Sequence, residues 1–164
     1  MVSQPSRIKN NKPKKKKSPT VGSVKKWKRT HKQQYGTSKL EEYFAKEFLD
    51  RLGVEYIYQF EAKDIGRFYD FYLPNSRILI EVDGDYYHSN PEKYSKDELN
   101  AMQKHNQRVD EYKNKWALMR GIPLLRIWEN DIRNNPEKVM LVLQHLIGEQ
   151  NRKIMLENGK KRRH

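Results

Sequence analysis

The 164-residue chain contains no cysteine. That excludes disulfides, thiolate zinc sites and cysteine nucleophiles, and it is compatible with a reducing compartment. Nowhere does the chain offer the roughly 20 consecutive apolar residues that a membrane-spanning helix needs, and no apolar signal-peptide core follows the N-terminus. The remaining absence is of acid. Residues 1–37 hold no Asp or Glu but twelve Lys and Arg, so of the formal net charge of +13 this stretch carries +12 and the rest of the chain only +1.

Composition therefore divides the chain in two. Residues 1–37 combine like charge with Pro, Gly, Ser and Asn and few apolar side chains, too little to offset the entropy of ordering, so a disordered basic tail is expected there. Its natural counterpart is a polyanion, and the absence of an amphipathic or apolar run favours nucleic acid over a membrane. Lys14, Lys15, Lys16, Lys17, Lys25, Lys26, Lys28 and Arg29 are the expected phosphate contacts, with Trp27 or Tyr35 placed to touch sugar or base. A solubilising tail or a nuclear-import signal is the plainer reading of Lys14 to Lys17. Residues 38–164 are long enough for one domain with a core of its own.

Within that domain the spacing predicts the order αβββαβα. Ser38 is an expected N-cap, and Leu40, Phe44, Ala45, Phe48, Leu49 and Leu52 recur at helical spacing until Gly53. Glu41 falls in the middle of that apolar arc, which marks it as paired, as chemically active, or simply as an acid favoured by the helix N-terminus. Val54 to Glu61 alternates as a strand does. A hairpin follows, with Asp70 on its first strand, a turn at Leu73-Pro74-Asn75-Ser76, and a second strand from Arg77 to Asp83.

Ser95 and Glu98 predict a capping box for a long second helix with the apolar stripe Leu99, Met102, Val109, Tyr112, Trp116 and Met119, ending at Gly121. Leu124 to Trp128 reads as a short strand, and Asn135-Pro136-Glu137 as the start of a last helix carrying Val139, Met140, Leu143, Leu146 and Ile147. A mixed α/β (α+β) sheet flanked by helices on both faces is expected.

The hairpin carries the chemistry. Alternation puts Glu81 and Asp83 on one face of the second strand and Ile78, Ile80 and Val82 on the other, with Asp70 on the neighbouring strand. Carboxylates are disfavoured in strands and repel when gathered on one face, so this cluster points to a hard divalent cation such as magnesium. His88 suits water orientation, protonation of a leaving group, or an ordinary polar loop position. Lys113, one turn beyond Asp110, reads best as half of a solvated i,i+3 pair, with return of a positive charge to a phosphate as the other possibility. Tyr86 and Tyr87 read as base-stacking or core residues, core packing being favoured for at least one.

At Ser38-Lys39-Leu40-Glu41, Asp70-Phe71-Tyr72-Leu73-Pro74 and Glu81-Val82-Asp83-Gly84 the chain resembles the PD-(D/E)xK nuclease superfamily, and within it the very-short-patch-repair (Vsr) endonucleases and related phage homing endonucleases. Gly84-Asp85-Tyr86-Tyr87-His88, Asp110 and Leu125-Arg126-Ile127-Trp128-Glu129 extend the likeness over roughly residues 38–131. The resemblance implies an αβββαβ core and a metal-dependent DNA endonuclease, using magnesium with manganese able to substitute; the structural zinc of the Vsr enzymes is not expected, because the chain has no cysteine to hold it.

It implies further that Asp70 is a metal ligand, Glu41 an outer or second ligand, and His88 an acid/base or water-orienting group. Asp83 stands where the superfamily has its lysine, so Asp83 and Glu81 join Asp70 as expected metal ligands and catalytic residues. A branched-DNA resolvase, which shares Ser-x-Leu-Glu and Asp-Phe-x-Leu-Pro, and a non-catalytic DNA-binding protein are the alternatives; monomer and homodimer both remain open. A cytoplasmic location is expected, or a nuclear one in a eukaryotic or viral setting.

Overall fold

The computed structural model describes residues 38–161. Helix α1 (Lys39–Phe44) continues without a break through a π-helical stretch, Ala45–Leu49, into a last turn, α2 (Asp50–Leu52). Gly53 ends it at φ 65, a backbone conformation that favours glycine. Ser38 occupies the N-cap with its backbone carbonyl, which accepts from Glu42 N at 3.0 Å, while its side chain makes no capping bond.

Strands β1 (Ile57–Ala62), β2 (Arg67–Leu73) and β3 (Ile78–Asp83) form an antiparallel meander. Helix α3 (Ala101–Met119) then carries the chain to β4 (Leu124–Trp128), which pairs parallel with β3. Short α4 (Glu129–Asn134) and long α5 (Pro136–Lys161) complete the chain. The result is a four-stranded mixed sheet in the order β1-β2-β3-β4.

Both faces of the sheet are covered. On one, Ile78, Ile80 and Val82 of β3 pack with Phe44, Phe48 and Leu49 of the first helix and with Val139 and Leu143 of α5. Phe71 sits at the centre of this cluster, its ring centroid 5.7 Å from Phe44, 5.5 Å from Tyr56 and 5.4 Å from Tyr58. Truncating such a ring costs about 3–5 kcal/mol. On the other face Leu79 packs with Tyr69, Ala62 and the α3 residues Trp116 and Ala117. Being covered on both sides, all six residues of β3 are buried, acids included.

Three local expectations change. The Ser95–Glu98 pair does form, Ser95 Oγ donating to Glu98 Oε2 at 2.8 Å, but it closes only the single 3-10 turn Lys96–Glu98. Helix α3 is started instead by a reciprocal box in which Asn100 Oδ1 accepts from Gln103 N at 2.9 Å and Gln103 Oε1 from Asn100 N at 3.1 Å. The expected apolar stripe turns inward only in part: Leu99 and Trp116 are buried, but Met102, Tyr112 and Met119 are exposed, and α3 buries Gln103, Lys113 and Ala117 in their place. A helix lying over a strand that bears two carboxylates must turn polar groups inward, since unpaired buried charge is costly. Finally, α4 is an extra element between β4 and the last helix.

Candidate functional site

Strands β1 and β2 both break their alternation at one point. Residues two apart on a regular strand share a face, yet Tyr58 and Phe71 belong to the α5-side core while Phe60 and Tyr69 pack toward α3. Tyr58 pairs with Phe71 and Phe60 with Tyr69, so the switch falls on Gln59 and Asp70 between them. Gln59 has φ 51, a left-handed conformation costing on the order of 1–3 kcal/mol for such a residue. The ladder between β2 and β3 ends at Phe71–Ile80, and the Asp70 carboxylate takes over as acceptor for Val82 N at 2.7 Å.

Glu41 approaches the same place from the first helix. Its Oε2 accepts from Tyr58 OH at 2.7 Å and from Gln59 Nε2 at 2.9 Å, so the strained residue positions the helix acid. Glu81 completes a trio with Glu41 and Asp70. Burial, then the Glu41 charge, push the Asp70 carboxyl up to about 7. Burial and Asp70 push Glu81 up to about 8, and burial outweighs the bonds from Tyr58 and Gln59 in raising Glu41. Three acids whose ionisation is opposed by burial and by one another are poised to gain from a cation.

One cation is already supplied by the chain. Lys113 projects from the inward face of α3, only 8% exposed, and its Nζ lies 2.5 Å from Glu81 Oε1. The contact is an ion pair without good hydrogen-bond direction at Oε1. Tyr69 fixes this lysine twice, donating from its hydroxyl to Lys113 O at 2.8 Å and placing its ring 4.9 Å from Nζ. Trp116 Nε1 donates to Asp64 in the β1–β2 turn at 3.0 Å, which pins α3 over the sheet. The solvated Lys113–Asp110 pair is therefore replaced by a buried Lys113–Glu81 pair. The signal in the sequence was the run of polar residues at helical spacing, Gln103, Asp110 and Lys113, which turns inward so that Lys113 meets Glu81, Asp110 meets Arg126 and Gln103 meets the Tyr86 carbonyl.

Asp83, two residues on from Glu81, is held differently. It is 0% exposed, and its oxygens accept from Arg126 Nε at 2.6 Å and Nη2 at 2.8 Å in a two-pronged pair. The same Nη2 donates to Asp110 Oδ1 at 2.7 Å. Asp110 Oδ2 lies 2.8 Å from His88 Nδ1, which is also 3.6 Å from Asp83 Oδ1. Burial works against the imidazolium, but the Asp110 bond and the Asp83 charge outweigh it and raise the His88 pKa. Burial works against the Asp110 carboxylate too, and is outweighed by His88 and Arg126, so its pKa is lowered.

Glu41, Asp70 and Glu81 thus form one group with Lys113, while Asp83 and His88 form a second with Arg126 and Asp110. Asp83, expected as a metal ligand, has both carboxylate oxygens engaged by a guanidinium. Tyr86 and Tyr87 are both at the surface, 48% and 59% exposed, so neither is a core residue. Lys14, Lys15, Lys16, Lys17, Lys25, Lys26, Trp27, Lys28, Arg29 and Tyr35 lie outside the described residues.

Among the described residues no three acid or histidine side chains are gathered into a ready-made cation cage. Magnesium needs few protein carboxylates and keeps several waters, so the oxygen donors of Asp70 and Glu81, with Glu41 behind them, fit such an ion chemically. A groove of about 480 Å³ between the first helix and α5, lined by Phe48, Pro136 and Met140 among others, contains none of these acids. Comparison with family models, curated proteins and solved structures gives no match for this chain. Among the described residues no helix is long and apolar enough to cross a membrane.

Proposed function

We propose that this chain is a magnesium-dependent DNA endonuclease with a PD-(D/E)xK-like core, hydrolysing phosphodiester bonds at the Glu41–Asp70–Glu81–Lys113 group. The observation that carries the reading is Lys113: a buried ammonium delivered from α3 to a trio of mutually repelling carboxylates. The lysine that β3 lacks at Asp83 is thereby supplied from another element. The αβββαβ order of elements, with the acids on adjacent strands of the meander, also supports it.

Asp70 and Glu81 would hold the ion directly, with Glu41 as the outer acid. When bound, the ion would lower the cost of deprotonating an attacking water and of charge building on the phosphate. The chain's own residues do the rest. Lys113 Nζ, shared with Glu81, is a charged donor for a non-bridging phosphate oxygen as negative charge grows there. Gln59 and Tyr58 hold the Glu41 carboxylate in one orientation.

His88 has its Nδ1 committed to Asp110, which leaves Nε2 as the atom that exchanges a proton with the leaving oxygen or with water. Asp110, kept ionised by Arg126 and His88, fixes the tautomer and steadies the imidazolium. The basic residues 1–37 join the described fold three residues before Glu41, so the phosphate-binding tail is attached within one helical turn of an acid of the site.

The test is incubation of the full chain with supercoiled plasmid and with a cruciform duplex, in magnesium, manganese or EDTA. Nicked or linear product with either metal and none in EDTA is expected. Cleavage confined to the cruciform would select a resolvase. Equal binding in all three buffers, with no product at any excess of protein, would select a non-catalytic DNA-binding protein.

A further inference from the structure

The loop between β3 and α3 carries His88 and the exposed Tyr86 and Tyr87, yet it is built around a residue that the chemistry above does not use. Asp85 is buried and its carboxylate collects three donors from three places. Oδ1 accepts from Asn90 Nδ2 at 2.8 Å and from the backbone of Asn130 in the first turn of α4 at 3.3 Å. Oδ2 accepts from Lys93 Nζ at 2.7 Å. Its backbone carbonyl accepts from Asn90 N at 2.9 Å. The fully buried Asn90 then turns the chain, its own carbonyl accepting from Lys93 N and Tyr94 N at 2.9 Å each and its Oδ1 from Glu92 N at 3.0 Å.

This loop is held against its local preference. Ser89, next to His88, has φ 57 and a buried Oγ with no hydrogen-bond partner, both of which cost free energy. Such a conformation persists only where neighbours over-determine it. From α3, Gln103 Nε2 donates to Tyr86 O at 2.8 Å and Asn106 Nδ2 to Tyr87 O at 2.9 Å. From within, Asp85 ties the loop's two ends and α4 together. Between these anchors His88 N donates to Gly84 O at 3.0 Å, and the imidazole meets Asp110.

We propose that Asp85 is a positioning residue of this site: its carboxylate holds the Gly84–Tyr94 loop in the one shape that aims His88 at Asp110 and turns Tyr86 and Tyr87 outward. The inference rests on the endonuclease reading for its kinetic consequence, but not for its structural one. Asp85 touches neither substrate nor metal and acts through His88.

The experiment uses the full chain with Asp85→Asn, which keeps the shape and removes the charge that Lys93 and Asn130 N share. Lys93→Met is a second variant that leaves Asp85 intact. Two readouts are taken. Amide exchange of Tyr86–Tyr94 and the His88 ring 15N signals report the loop whether or not the protein cleaves DNA. The expected results are at least tenfold faster exchange confined to this loop and loss of the Nδ1-bonded imidazole pattern in Asp85→Asn, with a weaker change in Lys93→Met.

Single-turnover cleavage is then compared in wild type, Asp85→Asn, His88→Ala and the double variant. Asp85→Asn is expected to slow cleavage at saturating DNA at least tenfold with unchanged affinity, and to add nothing in the His88→Ala background. Unaltered exchange and ring signals in Asp85→Asn, or an equal loss in both backgrounds, would overturn the assignment. A wild type that cleaves nothing would sink the endonuclease reading alone, leaving the exchange and ring signals to decide the role of Asp85.

Discussion

Lys113 Nζ on α3 stands 2.5 Å from Glu81 Oε1 on the central strand, and that one contact joins the polar face of the helix to the acids of the hairpin. Each partner explains the other. A buried ammonium is tolerated because acids surround it, and a central strand bearing carboxylates folds because the helix above it brings cations.

Lys113→Met is expected to slow single-turnover cleavage by about 10²-fold or more, the scale for losing one positioned donor to developing charge. Affinity for an uncleavable duplex should change little, because most phosphate contacts are expected from the basic residues 1–37. Wild-type cleavage by Lys113→Met would remove this residue from the reaction.

The raised carboxyls make stability pH-dependent in a definite direction. An acid whose folded pKa lies above its unfolded value binds more protons when folded, so its contribution is complete below about pH 4 and is lost as pH rises through the folded value. Asp70, raised from 3.8 to about 7, and Glu81, raised from 4.5 to about 8, both act in this window. The raised His88 adds a loss of the same sign above about pH 6.5. Asp110 and Asp85, whose pKa values are lowered, act below about pH 4 and do not interfere. In EDTA the melting temperature should therefore fall from pH 5 to pH 8, by an amount on the order of a few kcal/mol in stability. Magnesium should raise it more at pH 8 than at pH 5. Thermal scans across pH with and without the metal check both, and a melting temperature that climbs toward pH 8 in EDTA would contradict the cluster.

Arg126 closes a network rather than a surface pair, since Asp83, Asp110 and, through Nη1, Asn114 Oδ1 at 3.1 Å all depend on it. Arg126→Ala strands Asp83 in the interior and is expected to cost about 3–5 kcal/mol. Arg126→Lys keeps the charge without the fork and should recover only part of it. Urea denaturation of the two variants measures this. A loss under about 0.5 kcal/mol for Arg126→Ala would free Asp83 for the ligand role that the sequence suggested.

The tail is expected to make binding salt-sensitive. With six or more phosphate contacts, affinity should drop on the order of 10³ between about 50 and 200 mM salt. Changing Lys14–Lys17, Lys25, Lys26 and Lys28 to Gln should flatten that slope in a filter-binding titration. An unchanged slope would move the phosphate contacts to residues 38–164.

The strands and the position of Asp70, Glu81 and Glu41 were legible because each follows from a short-range rule: alternation, a proline turn, an acid inside an apolar helical arc. The long-range pairings were not. Whether Lys113 faces water or Glu81 depends on which side of α3 meets the sheet, and an apolar stripe of Met102, Tyr112 and Met119 outscores a polar one when only hydrophobicity is counted. Asp83 and Glu81 look equivalent by parity, and only their long-range partners, Arg126 on Asp83 and Lys113 on Glu81, separate their fates. Gln59 gave no signal at all, since glutamine has no preference for positive φ and its conformation goes with the switch of face between Tyr58 and Phe60.

The most direct test is the single-turnover cleavage rate of a labelled duplex by Asp70→Asn beside wild type, at saturating magnesium and equal occupancy of DNA. Asp70 is the β2 carboxylate that accepts from Val82 N and is opposed by the Glu41 charge, and its loss should abolish detectable product while leaving DNA bound. Product formed by Asp70→Asn at the wild-type rate would contradict a catalytic centre at the hairpin.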